Sequence, residues 1–288
     1  MKSAFVSLIG RPSAGKSTLV NTLCGRKVSI VSPIPQTTRN RIRGIVNRPE
    51  GQLVFIDTPG YHSSEKRINL HMKELAENAA RESDIILYLT DASRKPGEEE
   101  HLLISFLSGL DIPVVLALNK TDLTEDTREI RGLLEESFPS SEILPISALK
   151  ETGTEELLQA LFLRAPEGEQ MYPEDFYTDQ DPEFRVREII REKAFARLSQ
   201  EVPHSLYVDI ADMEVQEEDL WIRAFILVER ESQKGIVVGK KGAGIREIRI
   251  ESEKELRDLF PYHVRLDLRV KTDPKWRKKD HLLKRLIQ

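Results

Sequence analysis

The run Gly10-Arg11-Pro12-Ser13-Ala14-Gly15-Lys16-Ser17 constrains this chain more than any other feature. It fits the pattern GxxxxGK[ST], follows the apolar run Ala4–Ile9 and precedes a helical pattern over Ser17–Leu23. A strand that feeds a glycine-rich turn and then a helix is the opening unit of an α/β sheet. The spacing has a chemical reason. Glycines let successive backbone N–H groups turn inward around phosphate oxygens, and the helix N-terminus adds a partial positive charge. Lys16 can reach outer phosphates, and the Ser17 hydroxyl can ligate Mg²⁺. The expected phosphate-binding residues are therefore Gly10, Ser13, Ala14, Gly15, Lys16, Ser17 and Thr18.

Further apolar runs at Leu53–Ile56, Ile85–Thr90 and Val114–Leu118, and a weaker one at Glu142–Ile146, alternate with helical patterns such as Asn69–Glu82 and Glu98–Leu107. This alternation predicts a mostly parallel sheet covered on both faces, with functional loops at the carboxyl ends of its strands. Three segments follow such strands. Asp57-Thr58-Pro59-Gly60 offers an acid that can hold magnesium through a water, and a glycine whose N–H can approach a terminal phosphate. Asn119-Lys120-Thr121-Asp122 offers a carboxylate that can accept hydrogen bonds from guanine N1–H and its exocyclic amine. Adenine lacks that pair of donors, and an unpaired Asp122 costs about 1–3 kcal/mol. The Lys120 stem can lie over the base, while Asn119 can tie loops together. Ser147-Ala148 follows the last run and would complete the base pocket, on chain order alone. Each segment read singly is an ordinary turn. In this order, behind a phosphate loop, they point to a guanine nucleotide, GTP or GDP, with Mg²⁺.

Length and charge divide the chain. Its 288 residues suit two domains. Residues 1–168 hold 20 Lys/Arg against 23 Asp/Glu, residues 169–182 hold five acids and no base, and residues 183–288 hold 23 bases against 20 acids. The acidic, proline-bearing stretch 169–182 reads as an interdomain linker, and the basic excess beyond it suggests a polyanion partner. The single cysteine, Cys24, sits in an apolar helical pattern and reads as packing. No run of 18 apolar residues and no signal-peptide pattern occurs, so the expected location is the cytoplasm.

Beyond the linker, Glu183–Ser199 is helical in pattern, Ser205–Met213 and Trp221–Glu229 resemble paired strands, and His263–Val270 is a third. Between them, Gly239-Lys240-Lys241-Gly242 precedes an amphipathic helix. A G-x-x-G turn with basic central residues is the backbone clamp of KH domains: small residues admit a nucleic-acid backbone, and Lys240 and Lys241 can meet its phosphates. Ile236, Val237, Ile245 and Ile248 would line the groove floor. The tail carries Lys275 and Arg277 beside Trp276, and could contact RNA, lie on an anionic membrane surface or simply dock as an amphipathic helix.

Taken together, the ordered motifs, the loop Gly-Arg-Pro-x-x-Gly-Lys-Ser, the segments Tyr172–Asp175 and Tyr177–Asp179, and the tail Asp273–Arg277 resemble the Era family of GTPases over nearly the whole chain. The resemblance implies a P-loop GTPase domain with a mostly parallel sheet, followed by a smaller α+β type II KH domain. It implies that Gln36, Thr37, Thr38 and Arg39 form the first switch, with Thr38 a Mg²⁺ ligand in the GTP state. It further implies small-subunit ribosomal RNA, near its 3′ end, as partner, and a role in maturing the small ribosomal subunit; the chain itself is expected to be a monomer. Two departures matter. Signalling GTPases place a glutamine after D-x-x-G to orient water, whereas here Tyr61 follows, then His62, a candidate base by analogy only. Relatives often carry Asn at position 13, where it helps hold potassium; Ser13 is shorter, so potassium stimulation is not expected. Lys241 stands where many relatives have glycine, which should stiffen the loop. A nucleotide kinase, or a GTPase whose second domain binds protein or membrane, are the competing readings.

Overall fold

The structure is a computed structural model and describes residues 1–32, 40–61, 67–198 and 206–274, with backbone alone at 67–71. It divides into two compact units, residues 1–179 and 180–288.

In the first unit, β1 (Lys2–Ile9), β3 (Gly51–Asp57), β4 (Ile85–Asp91), β5 (Val114–Asn119) and β6 (Ile143–Pro145) run parallel. The strand β2 (Ile42–Arg48) closes one edge antiparallel to β3, giving the order β2-β3-β1-β4-β5-β6. β3 and β4 are buried at every position, which is why they read as unbroken apolar runs. α1 (Lys16–Cys24) packs against β2 and β3. Ala76 and Ala80 of α2 (Arg67–Arg81), Leu103 and Leu107 of α3 (Glu98–Ser108), and Ile130 and Leu134 of α4 (Arg128–Ser137) share one core with Ile86, Tyr88, Leu116 and Leu118. α5 (Thr154–Arg164) packs against β5.

β2 is absent from the apolar runs because Arg43, Asn47 and Arg48 interrupt it; buried Ile42 and Gly44 alternate with exposed Arg43, as on an edge strand. That edge is covered by the acidic stretch. The Ile45 N–H donates to Tyr177 O at 2.9 Å, and Thr178 Oγ1 donates to Arg43 O at 2.8 Å. Arg43 donates to Asp179 at 2.7 Å, as does the Tyr172 hydroxyl at 2.9 Å. The fully buried Gln52 accepts from Met171 N and Tyr172 N and returns a bond to Tyr172 O. Much of residues 169–182 is thus a strap bonded to the first unit.

The second unit begins with α6 (Pro182–Arg197), whose N-cap Asp181 accepts from Glu183 N and Phe184 N. β7 (Tyr207–Gln216) and β8 (Asp219–Val228) pair antiparallel, and β9 (His263–Thr272) adds parallel to β8. α7 (Glu231–Val238) and α8 (Ala243–Leu259) separate β8 from β9. Leu220, Ile222, Ala224 and Ile226 alternate inward from β8, as Val264, Leu266 and Leu268 do from β9; Ile248 and Leu256 of α8 are buried too, and α8 packs on β9. α7 lies just before the Gly239–Gly242 turn, in a stretch given no helix from the sequence; at eight residues with glycine inside, it is too short for a clear period. No helix among the described residues is long and apolar enough to cross a membrane.

Candidate nucleotide site and nucleic-acid loop

Strand register assembles the first site. Leu8 of β1 lies opposite Asp57 of β3, and Asp91 of β4 lies opposite Asn119 of β5. The phosphate loop, Asp57 and the Asn119 loop therefore share the carboxyl edge of the sheet, as the order of motifs implied. Gly15 caps α1 at φ 99°, and a Cβ there would sit 2.3 Å from Asn119 Nδ2, so only glycine fits. Ser13 also takes a left-handed conformation, φ 63°, which asparagine tolerates better than serine.

Lys16 is buried, and its ammonium donates to Gly10 O and Arg11 O, each at 3.0 Å. Burial lowers its pKa to about 8 against the opposing pull of Asp57 and Glu100. It is a cation held under the loop, available to an incoming polyphosphate. Ser17 and Thr18 lie in the first turn of α1, while Asp57 ends β3 fully buried. A hydroxyl and a carboxylate are hard oxygen donors of the kind Mg²⁺ prefers, so this donor set fits the ion. The sequence-predicted Gln36, Thr37, Thr38 and Arg39 lie outside the described residues, as does His62.

Gly60 is pressed on the phosphate loop: a Cβ would come within 2.7 Å of Pro12 Cα, and the next amide, Tyr61 N–H, donates to Gly10 O at 3.2 Å. Tyr61 itself turns away. It is 3% exposed within the core of α2, α3 and α4, with its hydroxyl donating to Glu77 at 3.3 Å and the Lys73 ammonium 5.1 Å from its ring centroid. In this arrangement its side chain is not placed to orient water.

The base end is tied by Asn119. Its amide donates to Ala14 O at 2.8 Å and accepts from Ala148 N at 2.9 Å, joining the phosphate loop to the Ser147-Ala148 loop. Ser147 Oγ donates to Asp122 Oδ1 at 2.6 Å, fixing the carboxylate. Lys120, at φ 65°, donates to Asp91 at 2.7 Å. Sequence reasoning missed Asp91 and also Thr22, whose hydroxyl donates to Ala148 O at 2.9 Å. Asp91 ends a strong strand opposite Asn119, a position that strand pairing could have flagged.

In the second unit, Gly239 ends α7 and Gly242, at φ 79°, caps α8, with a single 3₁₀ turn between them. Lys240 and Lys241 are exposed. Lys241 is left-handed at φ 50°, a conformation that costs a non-glycine residue about 1 kcal/mol. Ile236 is 56% exposed and Ile245 half-buried beside the loop. Val237, expected on the groove floor, is 1% exposed, and Ile248 is fully buried. Helical periodicity turns these two inward, so they support the groove from beneath. Lys275 and Arg277 lie outside the described residues.

These features define a P-loop GTP-binding protein with an appended KH fold. Residues 5–120 match the 50S ribosome-binding GTPase family, and residues 201–277 match the KH domain family. The chain is 52% identical over 293 residues to GTPase Era of Treponema denticola, covering 99% of each chain. It superposes on the crystal structure of Era in complex with MgGDPNP and nucleotides 1506–1542 of 16S ribosomal RNA, with TM-score 0.93 and 36% identity, over 99% of this chain and 98% of that one. A tyrosine-to-alanine variant of Aquifex aeolicus Era bound to GDP·AlF₄⁻ matches with TM-score 0.92 and 36% identity, over the same shares. The chain belongs to the Era family of GTPases.

Proposed function

We propose that this protein binds and slowly hydrolyses GTP, binds small-subunit ribosomal RNA near its 3′ end, and assists maturation of the small ribosomal subunit. The observation that carries this is the end-to-end match to an Era chain bearing a guanine nucleotide and 16S RNA together. The chain's own geometry supports it: Asp122 is held by Ser147 at the base end, and two exposed lysines sit on the Gly239–Gly242 turn.

Phosphate positioning falls to the loop N–H groups and Lys16; Ser17 and, in the GTP state, Thr38 would hold magnesium directly, and Asp57 through a water. Bound magnesium supplies charge neutralisation at the phosphates. With Tyr61 packed in the core, hydrolysis relies on these donors, which favours slow intrinsic turnover. Ser13 leaves potassium without the longer asparagine side chain, and KCl in place of NaCl should not raise turnover several-fold. Residues 1–168 act as the GTPase domain and 183–288 as the RNA-binding domain. The protein works as a cytoplasmic monomer, with its basic tail making RNA contacts or peripheral contact with an anionic membrane.

Nucleotide competition and RNA crosslinking with sequencing test the two halves. GTP should displace labelled GDP, ATP should not, and Asp122→Asn should weaken GTP about a hundredfold while gaining xanthine nucleotide binding. Crosslinks scattered over total RNA, with no enrichment at the 3′ end of the small-subunit RNA, would refute the RNA assignment.

A further inference from the structure

We infer that Glu100 is a positioning residue of the phosphate loop, acting through Arg11. The inference rests on residues 10–17 being the nucleotide loop. Nothing in the GxxxxGK[ST] pattern asks for an arginine at its second position, yet the Arg11 side chain is held by three partners. Its guanidinium is 13% exposed and donates to Glu99 at 3.2 Å, to Glu100 at 3.3 Å and to Lys95 O at 3.3 Å. The three partners lie at or just before the start of α3, an element that contributes no residue to the phosphate pattern.

Glu100 differs from Glu99 in burial and in reach. It is 2% exposed, and its two oxygens are divided. One accepts from Arg11, and the other accepts from the hydroxyl of Tyr88, a fully buried residue of β4. A carboxylate removed from water in this way is held by its partners, and loss of either partner leaves it exposed to its full desolvation penalty. The chain of contacts runs from the sheet interior at Tyr88, through Glu100, to the guanidinium of Arg11. The backbone of Arg11 is also where the loop meets Lys16, since Arg11 O accepts from the Lys16 ammonium at 3.0 Å. Arg94 donates to the neighbouring Pro12 O at 3.3 Å, so α3 and the turn before it grip the outer side of the loop at two successive residues. A loop whose inner N–H groups must face phosphate gains rigidity when its outer side is fixed, because less is lost on binding.

Glu100→Gln tests this. The amide keeps the shape and an acceptor for Tyr88, but loses the charge that holds Arg11. Titrated with a fluorescent GDP in the full-length chain, the parent should bind, and the variant should bind about tenfold more weakly. Its KM for GTP should rise with kcat kept near the parent's, because the cost of ordering the loop falls on binding and the inner donors stand in place once GTP is bound. Glu99→Gln, removing the more exposed partner, should change affinity less than threefold. Should Glu100→Gln fail to fold, Tyr88→Phe removes the hydroxyl that fixes the carboxylate and should weaken GDP about threefold. A folded variant with GDP affinity within twofold of the parent, or one that loses only thermal stability, overturns the inference. A parent that does not bind GDP would instead overturn the nucleotide reading beneath it.

Discussion

The two glycine-framed loops ahead of helices, residues 10–17 and 239–242, look alike in sequence and differ in the molecule. Each leads into a helix from a left-handed glycine and each forces one other residue to positive φ, Ser13 in the first and Lys241 in the second. Each carries lysine. In the first loop the lysine is buried and bonded to two carbonyls, and Gly60 presses on the loop at Pro12. In the second both lysines are exposed, and a Cβ at Gly242 would meet nothing within 4 Å. A loop that must enclose a small polyphosphate is crowded from every side by its own protein. A loop that must ride on a polymer backbone stays open, and its specificity has to come from the groove beside it.

The contrast breaks most sharply at the capping glycines. Gly15→Ala should abolish measurable GDP binding, a loss of a hundredfold or more, because the methyl group meets Asn119 as well as the φ penalty. Gly242→Ala should cost only about 1 kcal/mol, from φ alone, read as a small shift in thermal midpoint. Charge reversal comes next. Lys240→Asp with Lys241→Asp should weaken RNA binding about a hundredfold at low salt and lower the salt-dependence slope by about two, with GTP turnover in the absence of RNA unchanged. An RNA affinity insensitive to this double change would favour a second unit that binds something other than nucleic acid.

Protonation separates the loops further. With Lys16 at about 8, the free protein carries its ammonium below that pH and loses it above. Phosphate favours the ammonium, so the bound form keeps its proton to higher pH. GDP affinity should be flat below pH 8 and fall by up to tenfold per unit above it, measured by titration between pH 7 and 9.5. The smallest effect is expected at Lys241→Gly. Relief of the φ strain, about 1 kcal/mol, is partly offset by the freer unfolded chain, and RNA affinity should change less than threefold.

How legible each loop was follows from the same contrast. The phosphate loop, Asp57 and Asn119–Asp122 were readable because their chemistry lies in fixed local spacing at strand ends. The tethers were not. Asp91 under Lys120, Thr22 on Ala148 and Glu100 on Arg11 join residues 29 to 126 positions apart, and no local pattern encodes them. Tyr61 illustrates a half-success: its identity excluded the glutamine role, but only packing showed the ring inside the α2–α4 core. In the second unit the turn was legible from Gly-Lys-Lys-Gly, whereas the left-handed Lys241 and the inward Val237 depend on where α7 stops.

The strap over β2 has a consequence beyond the two sites. An antiparallel edge strand offers an open row of amides and carbonyls, a template on which other chains polymerise. Here Tyr177 and Thr178 occupy part of that row, and the buried Gln52 locks the strap at its other end. The acidic segment therefore acts as a selvedge, keeping the sheet from unravelling into its neighbours. A first unit cut short before it would keep every nucleotide motif and still be prone to stick to itself.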